Sequence, residues 1–266
     1  MRLHPRLRRG IIYYVLPLAV LFAAAAARIV APDFLDRLSL ICFDLYQKVA
    51  PREAETEPPV RVVDIDDDCL RKIGQWPWPS TLVAELIKRL HDAGAAVIAF
   101  DIDFAEPDRT SPKLLMPLMI QNAISAEEAE KLLMALPDPD LRLADTMHTI
   151  PIVTGFILTD HGDSRPPAVK AGFAVVGDDP LGHVESFPAA VANLPALEAG
   201  AAGDGFLNQS LDWDNVVRKV PLILRFGDKP YPSLAAEALR IAVDARSYIG
   251  RASGANGETN FARRPG

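Results

Sequence analysis

The sequence has little of what catalytic and nucleic-acid-binding chains usually display. Among its 266 residues there are two cysteines, Cys42 and Cys69, too few for a disulfide framework or a four-cysteine zinc site. The five histidines, His4, His91, His148, His161 and His183, show no HExxH spacing and read as surface or internally satisfied residues. No GxSxG nucleophile elbow and no GxxxxGK[ST] phosphate loop occurs, and GDGFLN at 203–208 lacks the last glycine of a dinucleotide fingerprint. Basic charge is scarce. The formal net charge is −7, and Arg2, Arg6, Arg8 and Arg9 carry +4 of the positive charge, so residues 11–266 stand at −11. Phosphate neutralisation needs clustered Lys and Arg, which makes nucleic acid a poor partner. Sixteen glycines and 23 prolines amount to about 15% of the chain, below the range of low-complexity disorder. There is no internal repeat, and the length suits one large domain or two small ones.

One long apolar run is present. Ile11 to Ala27, IIYYVLPLAVLFAAAAA, carries no charge and lies between Arg9 and Arg28. Its seventeen residues sit at the lower limit for a bilayer span, so the reading is a transmembrane helix over 11–28 after a basic start at 1–10. Lys and Arg stay on the cytoplasmic side, which predicts a cytoplasmic N-terminus in a bacterial inner membrane and an extracytoplasmic bulk. A cleaved signal peptide, with small residues at Ala24 and Ala26, fits the same run and exports the same bulk. A helix over 33–50 follows, with Phe34, Leu38, Ile41, Cys42, Leu45 and Val49 spaced by threes and fours. It is either a first core helix or a juxtamembrane helix that pairs with a second copy. Cys42 on its apolar face is expected as a buried thiol. Residues 51–59 form a polar, Pro-rich linker.

From 60 to 246 the pattern is α/β. VRVVDID at 60–66 reads as a strand, Ser80 to Ala93 as a helix ended by a left-handed Gly94, and Ala95 to Ile102 as a second strand. That order predicts a parallel crossover in a mixed, partly parallel sheet with flanking helices. Ser125 and Glu128 form a capping box for a helix to Met134. A further helix fits Asp140 to His148, and strands fit Ile152 to Leu158 and Phe173 to Val176. Gly205 to Leu211 and Val216 to Phe226 read as a hairpin about Asp212 to Asn215, and Ser233 to Val243 as a last helix. Residues 247–266 lack periodicity and read as a disordered tail.

Acids at the expected strand ends are the most informative feature. Asp64 and Asp66 end the first strand, Asp101 and Asp103 the second, and parallel pairing would gather them where open α/β sheets bind ligands. Such a group suits a hard cation, although Asp is equally common as a turn and cap residue. The loops leaving those ends carry Trp76, Trp78, Glu106 and Asp108. The candidate ligand residues are therefore Asp66, Trp76, Trp78, Asp101, Glu106 and Asp108, in an acid-lined, aromatic-walled pocket that favours a cation or a polar cationic molecule. The alternative is structural: buried indoles, with acids held by backbone amides. An enzymatic alternative also exists. VVDIDDD resembles the nucleophile motif of haloacid-dehalogenase-like phosphatases, with Asp64 as nucleophile and Asp66 as acid/base. Thr154, Lys170, Asp178 and Asp179 imitate the later motifs in order, but Lys170 and Asp178 are too close to hold the intervening strand and helix. That reading is a membrane-anchored, metal-dependent phosphohydrolase.

Taken together, RVVDIDDDCLRKIGQWPWPS, AGAAVIAFDIDFAEPDR and GDGFLNQSLDWDNVVRKVPLILRFGDKPYPSLAAEALRIA resemble the second type of the bacterial CHASE family, the cyclase and histidine-kinase associated sensory extracellular domains. The likeness runs from about Pro32 to Ala242. It implies an extracytoplasmic sensor module of a transmembrane signalling receptor, with an output such as a nucleotide cyclase or kinase outside this stretch. It also implies a homodimer in the full receptor and an unidentified small-molecule or ionic stimulus, without cofactor or catalytic residues. Two positions depart from the pattern. Ser80 stands where the family usually has Arg, and Asn215 where it usually has Gly. The final strands, return helices and output are expected to lie beyond this stretch.

Overall fold

The computed structural model describes residues 11–30, 32–53, 58–111, 136–162 and 165–252, together with Leu114, Pro117, Ser125, Glu127, Glu128 and Lys131. The chain divides into two compact units, Met1–Asp66 and Asp67–Gly266.

In the first unit a widened π-helical turn, Ile11–Val15, leads into α1, Leu16–Val30. Pro17 lies at the change of helix type: it has no N–H to give to the carbonyl four residues back, and its ring crowds that carbonyl. The fifteen residues of α1 rise about 22 Å, less than the roughly 30 Å of a hydrocarbon core. Among the described residues no helix is long and apolar enough to cross a membrane, so the expected continuous spanning helix over 11–28 is not supported. Helix α2, Pro32–Val49, forms where the spacing predicts. Phe34, Leu38, Ile41, Leu45 and Val49 are exposed on it, and so is Cys42, which corrects the expectation of a buried thiol.

Residues 60–66 belong to no strand and are mostly exposed. Their β-branched composition supplies propensity, but propensity becomes a strand only with a neighbour to pair with, and the expected first strand is therefore absent.

The second unit begins with α3, Asp67–Ile73, and α4, Ser80–Asp92, which ends at a left-handed Gly94 with φ of 97° as expected. Strand β1, Ile98–Ala99, is far shorter than the apolar run around it. Helix α5, Pro139–Thr149, starts on a proline at its first position and on the Asp138 carboxylate, which accepts from Asp140 N–H. Strand β2, Ile152–Thr159, is the spine of the sheet. β1 pairs with it in parallel, β6 (Gly203–Phe206) in parallel, and β5 (Ala189–Val191) antiparallel to its far end. The Ser125 and Glu128 capping box is formed, each residue's side chain accepting from the other's backbone N–H, while most of the helix expected after it lies outside the described residues.

One core cluster joins Val83 and Ile87 of α4 to Leu143 and Met147 of α5, Ile152 of β2 and Leu197 of α6, Pro195–Gly200. Full burial of side chains of this kind contributes roughly 1.5–3 kcal/mol each. The second cluster holds Phe156, Leu158, Phe206, Leu224 and Tyr231.

The remaining strands are β3 (Gly172–Val176), β4 (Ser186–Phe187), β7 (Ser210–Leu211), β8 (Val217–Lys219), β9 (Ile223–Phe226) and β10 (Lys229–Pro232). They precede α7, Leu234–Ala242, and β11, Ser247–Arg251. The expected hairpin about 212–215 exists but is confined to β7 and β8. The flanking runs join other sheets: β6 lies beside β2, and β9 lies between β10 and β4. Residues 247–251 are not a disordered tail, because β11 pairs in parallel with β3 across five positions.

Candidate functional site

The site forms where the loop after β1 folds over the start of α4. Phe104 fastens that loop at both backbone groups. Its N–H donates to Asn193 Oδ1 at 2.6 Å and its carbonyl accepts from Leu194 N–H at 2.8 Å. Asn193 is buried and donates its own side-chain amide to Gly155 O on β2, so the loop is tied to the spine of the sheet.

Two carboxylates then hold the loop on the helices. Asp108 accepts from the backbone N–H of Ser80, one of the donors that a helix start leaves without an internal partner. It also accepts from Thr110 N–H and Thr110 Oγ1, each at 2.7 Å. Burial raises the Asp108 pKa, but the hydrogen bonds from Ser80 and Thr110 outweigh it and hold the group below the usual carboxylate value. Asp140, at the start of α5, accepts from Ser80 Oγ at 2.7 Å and from Asp108 N–H at 3.0 Å. Ser80 is thus the pin between α4, α5 and the loop.

These ties frame a cavity of about 210 Å³ lined by Trp76, Pro77, Trp78, Phe104 and Leu197 on its apolar side. Asp103, Glu106, Asp108, Arg109 and Asp140 supply its polar side. Trp76 and Trp78 meet edge to face, with ring centroids 5.6 Å apart, and Trp78 Nε1 donates to Gly74 O at 2.9 Å. Both indoles are half-buried and pack against the first core cluster. They are structural and cavity-lining at once. Among the described residues Asp103, Glu106 and Arg109 make no ion pair or hydrogen bond through their side chains, so these charges remain available to a ligand.

Of the residues singled out in the sequence, Trp76, Trp78, Glu106 and Asp108 line this cavity. Asp101 is exposed and does not line it. Asp66 is exposed at the end of segment 60–66, which forms no strand, in the first unit, so the expected strand that was to set it beside Asp101 is missing. Arg109, Ser80 and Asp140 were not singled out for the site, and Asp103 entered only as one of the acids expected at the strand ends. Asp140 carried the one legible signal, its place at the start of a periodic helix.

The phosphohydrolase residues fare differently. Asp64 and Asp66 are exposed in a segment without strand partners, Asp178 and Asp179 are exposed after β3, and Thr154 is buried in β2 with its hydroxyl on Asp204. Among the described residues no three His, Cys, Asp or Glu side chains are grouped to hold a metal ion.

No curated protein and no solved structure matches the chain. The family model of the CHASE2 domain, in contrast, matches residues 17–263, nearly the whole chain. That span takes in the WPWP turn, the cavity loop and the sheet that holds them. The chain belongs to the CHASE2 domain family, a family of sensory extracellular domains.

Proposed function

We propose that this chain is the sensing module of a bacterial transmembrane signalling receptor, and that its stimulus is a small cationic or polar molecule bound in the Trp76 and Trp78 cavity. The observation that carries the reading is the convergence on one cavity of about 210 Å³ of two held indoles with the carboxylates of Asp103 and Glu106, which have no partner among the described residues. Aromatic rings and carboxylates together favour cations, and Arg109 adds one place for a polar or anionic group on the same ligand. Membership of a sensory extracellular family supports an extracytoplasmic body. The uncharged run Ile11 to Ala27 behind an arginine-rich start supports contact with the bilayer and a cytoplasmic N-terminus. The exposed apolar residues of α2 support pairing of two copies. The output, a nucleotide cyclase or kinase, belongs to the proposal through the family alone.

Calorimetric titration of the chain with tetramethylammonium is expected to show saturable binding that weakens at least about tenfold in Glu106→Gln. Equal binding by both proteins, or binding of anions in preference, overturns the cavity assignment. For topology, a reporter active only outside the cytoplasm should work when fused after Ala242 and fail when fused before Ile11. The reverse pattern overturns the orientation.

A further inference from the structure

A second group of acids lies away from the cavity loop, in the interior of the sheet. Asp204 on β6 and Glu198 on α6 are 2% and 5% exposed. Each keeps one oxygen, Asp204 Oδ2 and Glu198 Oε1, buried without a hydrogen-bond partner among the described residues. A buried carboxylate oxygen left unpaired is costly. Two in one neighbourhood call for something to satisfy them.

The groups around Asp204 come from every element packed on it. From β2, Thr154 Oγ1 donates to Asp204 Oδ1. From α7, Glu237 adds negative charge, itself held by Arg240 and by Tyr248 of β11. From β10, Tyr231 lies within the electrostatic reach of both Glu198 and Asp204. The extended segment 165–171 brings the positive charges. Arg165 pairs with Glu198 Oε2 at 2.7 Å and Lys170 acts on Asp204. Pro167 O accepts from Tyr231 Oη at 2.9 Å, which fixes the same segment over the second core cluster.

We propose that Asp204 and Glu198 form a buried two-carboxyl site whose ligand is a single proton, and that losing this proton favours release of the 165–171 segment. One proton on Asp204 supplies a donor to a site that has two orphan acceptors and removes a charge that burial opposes. Burial first, then the charges of Glu198 and Glu237, push the Asp204 pKa up to about 7 against the Thr154 hydrogen bond and Lys170. An unfolded Asp gives up its proton near 3.8, so between those values the folded chain holds a proton that the unfolded chain has lost. Stability from this group is therefore full below about pH 4 and falls as pH rises to about 7. Opening the segment admits water to the ionised carboxylate, so the open form gains as the site ionises. Arg165 also donates to Asn193 O, the residue whose side chain fastens the cavity loop at Phe104.

The test is a carboxyl-carbon NMR titration of the full chain with amide exchange followed in parallel. One Asp carboxyl should titrate near pH 7 and vanish in Asp204→Asn. Its midpoint should fall in Glu198→Gln, which removes a like charge, and rise in Thr154→Val, which removes the hydrogen bond favouring the ionised form. Exchange in residues 165–171, corrected for intrinsic rates, should speed up about tenfold from about pH 5 to about pH 8 in the unaltered chain. It should stay flat in Asp204→Asn. If that variant does not fold, the wild-type titration and the two opposite shifts still decide. An Asp204 midpoint in the ordinary carboxylate range, or exchange equally pH-dependent without Asp204, overturns the proposal.

Discussion

Two sets of carboxylates in the same unit meet opposite fates. At the cavity, Asp108 and Asp140 are surrounded by donors: backbone N–H groups of Ser80, Asp108 and Thr110, and two hydroxyls. In the interior, Asp204 receives one hydroxyl and Glu198 one guanidinium, and each keeps an oxygen with no donor among the described residues. The pKa of Asp108 moves down and that of Asp204 moves up to about 7. Burial acts upward on both. It acts harder on the deeper Asp204, which also faces the charges of Glu198 and Glu237, whereas the donors around the half-buried Asp108 outweigh it.

The largest effect should come from the interior. Glu237 is fully buried and accepts two hydrogen bonds from Arg240 and one from Tyr248. Glu237→Ala strands a buried guanidinium and should cost about 3–5 kcal/mol in chemical denaturation. A loss below about 1 kcal/mol would show that water already reaches this cluster. The contrast sharpens at the rim with Asp140→Ala, which removes the acceptor of Ser80 Oγ and Asp108 N–H together. It should cost about 1–3 kcal/mol by the same measurement and should also weaken ligand binding by freeing the loop.

A smaller effect distinguishes the two sets by pH. Asp108 has a lowered folded pKa, so its contribution is present above the unfolded value near 3.8 and is lost as pH falls through the folded value. Asp108→Asn should flatten the stability profile on the acid side and leave the region from pH 5 to about pH 8 unchanged, where Asp204 governs. A change confined to that upper region would reverse the assignment of the two sets. Glu106→Gln should be the mildest for folding, within about 0.5 kcal/mol, because Glu106 is exposed and has no partner among the described residues, while it should weaken cation binding.

How much of this was legible in the sequence follows the same division. The helices Ser80–Asp92, Pro139–Thr149 and Leu234–Ala242 announce themselves by apolar spacing and caps, which are local properties. The run VRVVDID and the segment Ser247–Arg251 were misread in opposite directions, because a strand is settled by a partner far along the chain and composition carries no record of it. GDGFLN was read as an incomplete dinucleotide fingerprint, with a strand expected only from Gly205. In fact Gly203 and Gly205 belong to a strand on which α7 closes: a Cβ on Gly205 would meet Leu234 Cα at 2.5 Å, and one on Gly203 would meet Glu237 Oε1 at 2.6 Å. Asp204 between those glycines was accordingly passed over. At the cavity, Trp76 and Trp78 were legible as one pair between prolines and Glu106 and Asp108 as another in one short loop, because only the helix Ser80–Asp92 and strand β1 separate the two pairs. Asp140 reaches the same place from more than thirty residues away.

The central claim, that the indole-walled cavity is where the sensor meets its stimulus, has an internal reference. The chain holds three tryptophans; Trp76 and Trp78 border the cavity, whereas Trp213 is exposed at the turn between β7 and β8. Titrating tetramethylammonium into the nitrogen-15-labelled chain and following the three indole N–H resonances should move those of Trp76 and Trp78 along one saturable curve and leave Trp213 in place. Three indoles that stay still, or that drift together without saturation, would contradict it.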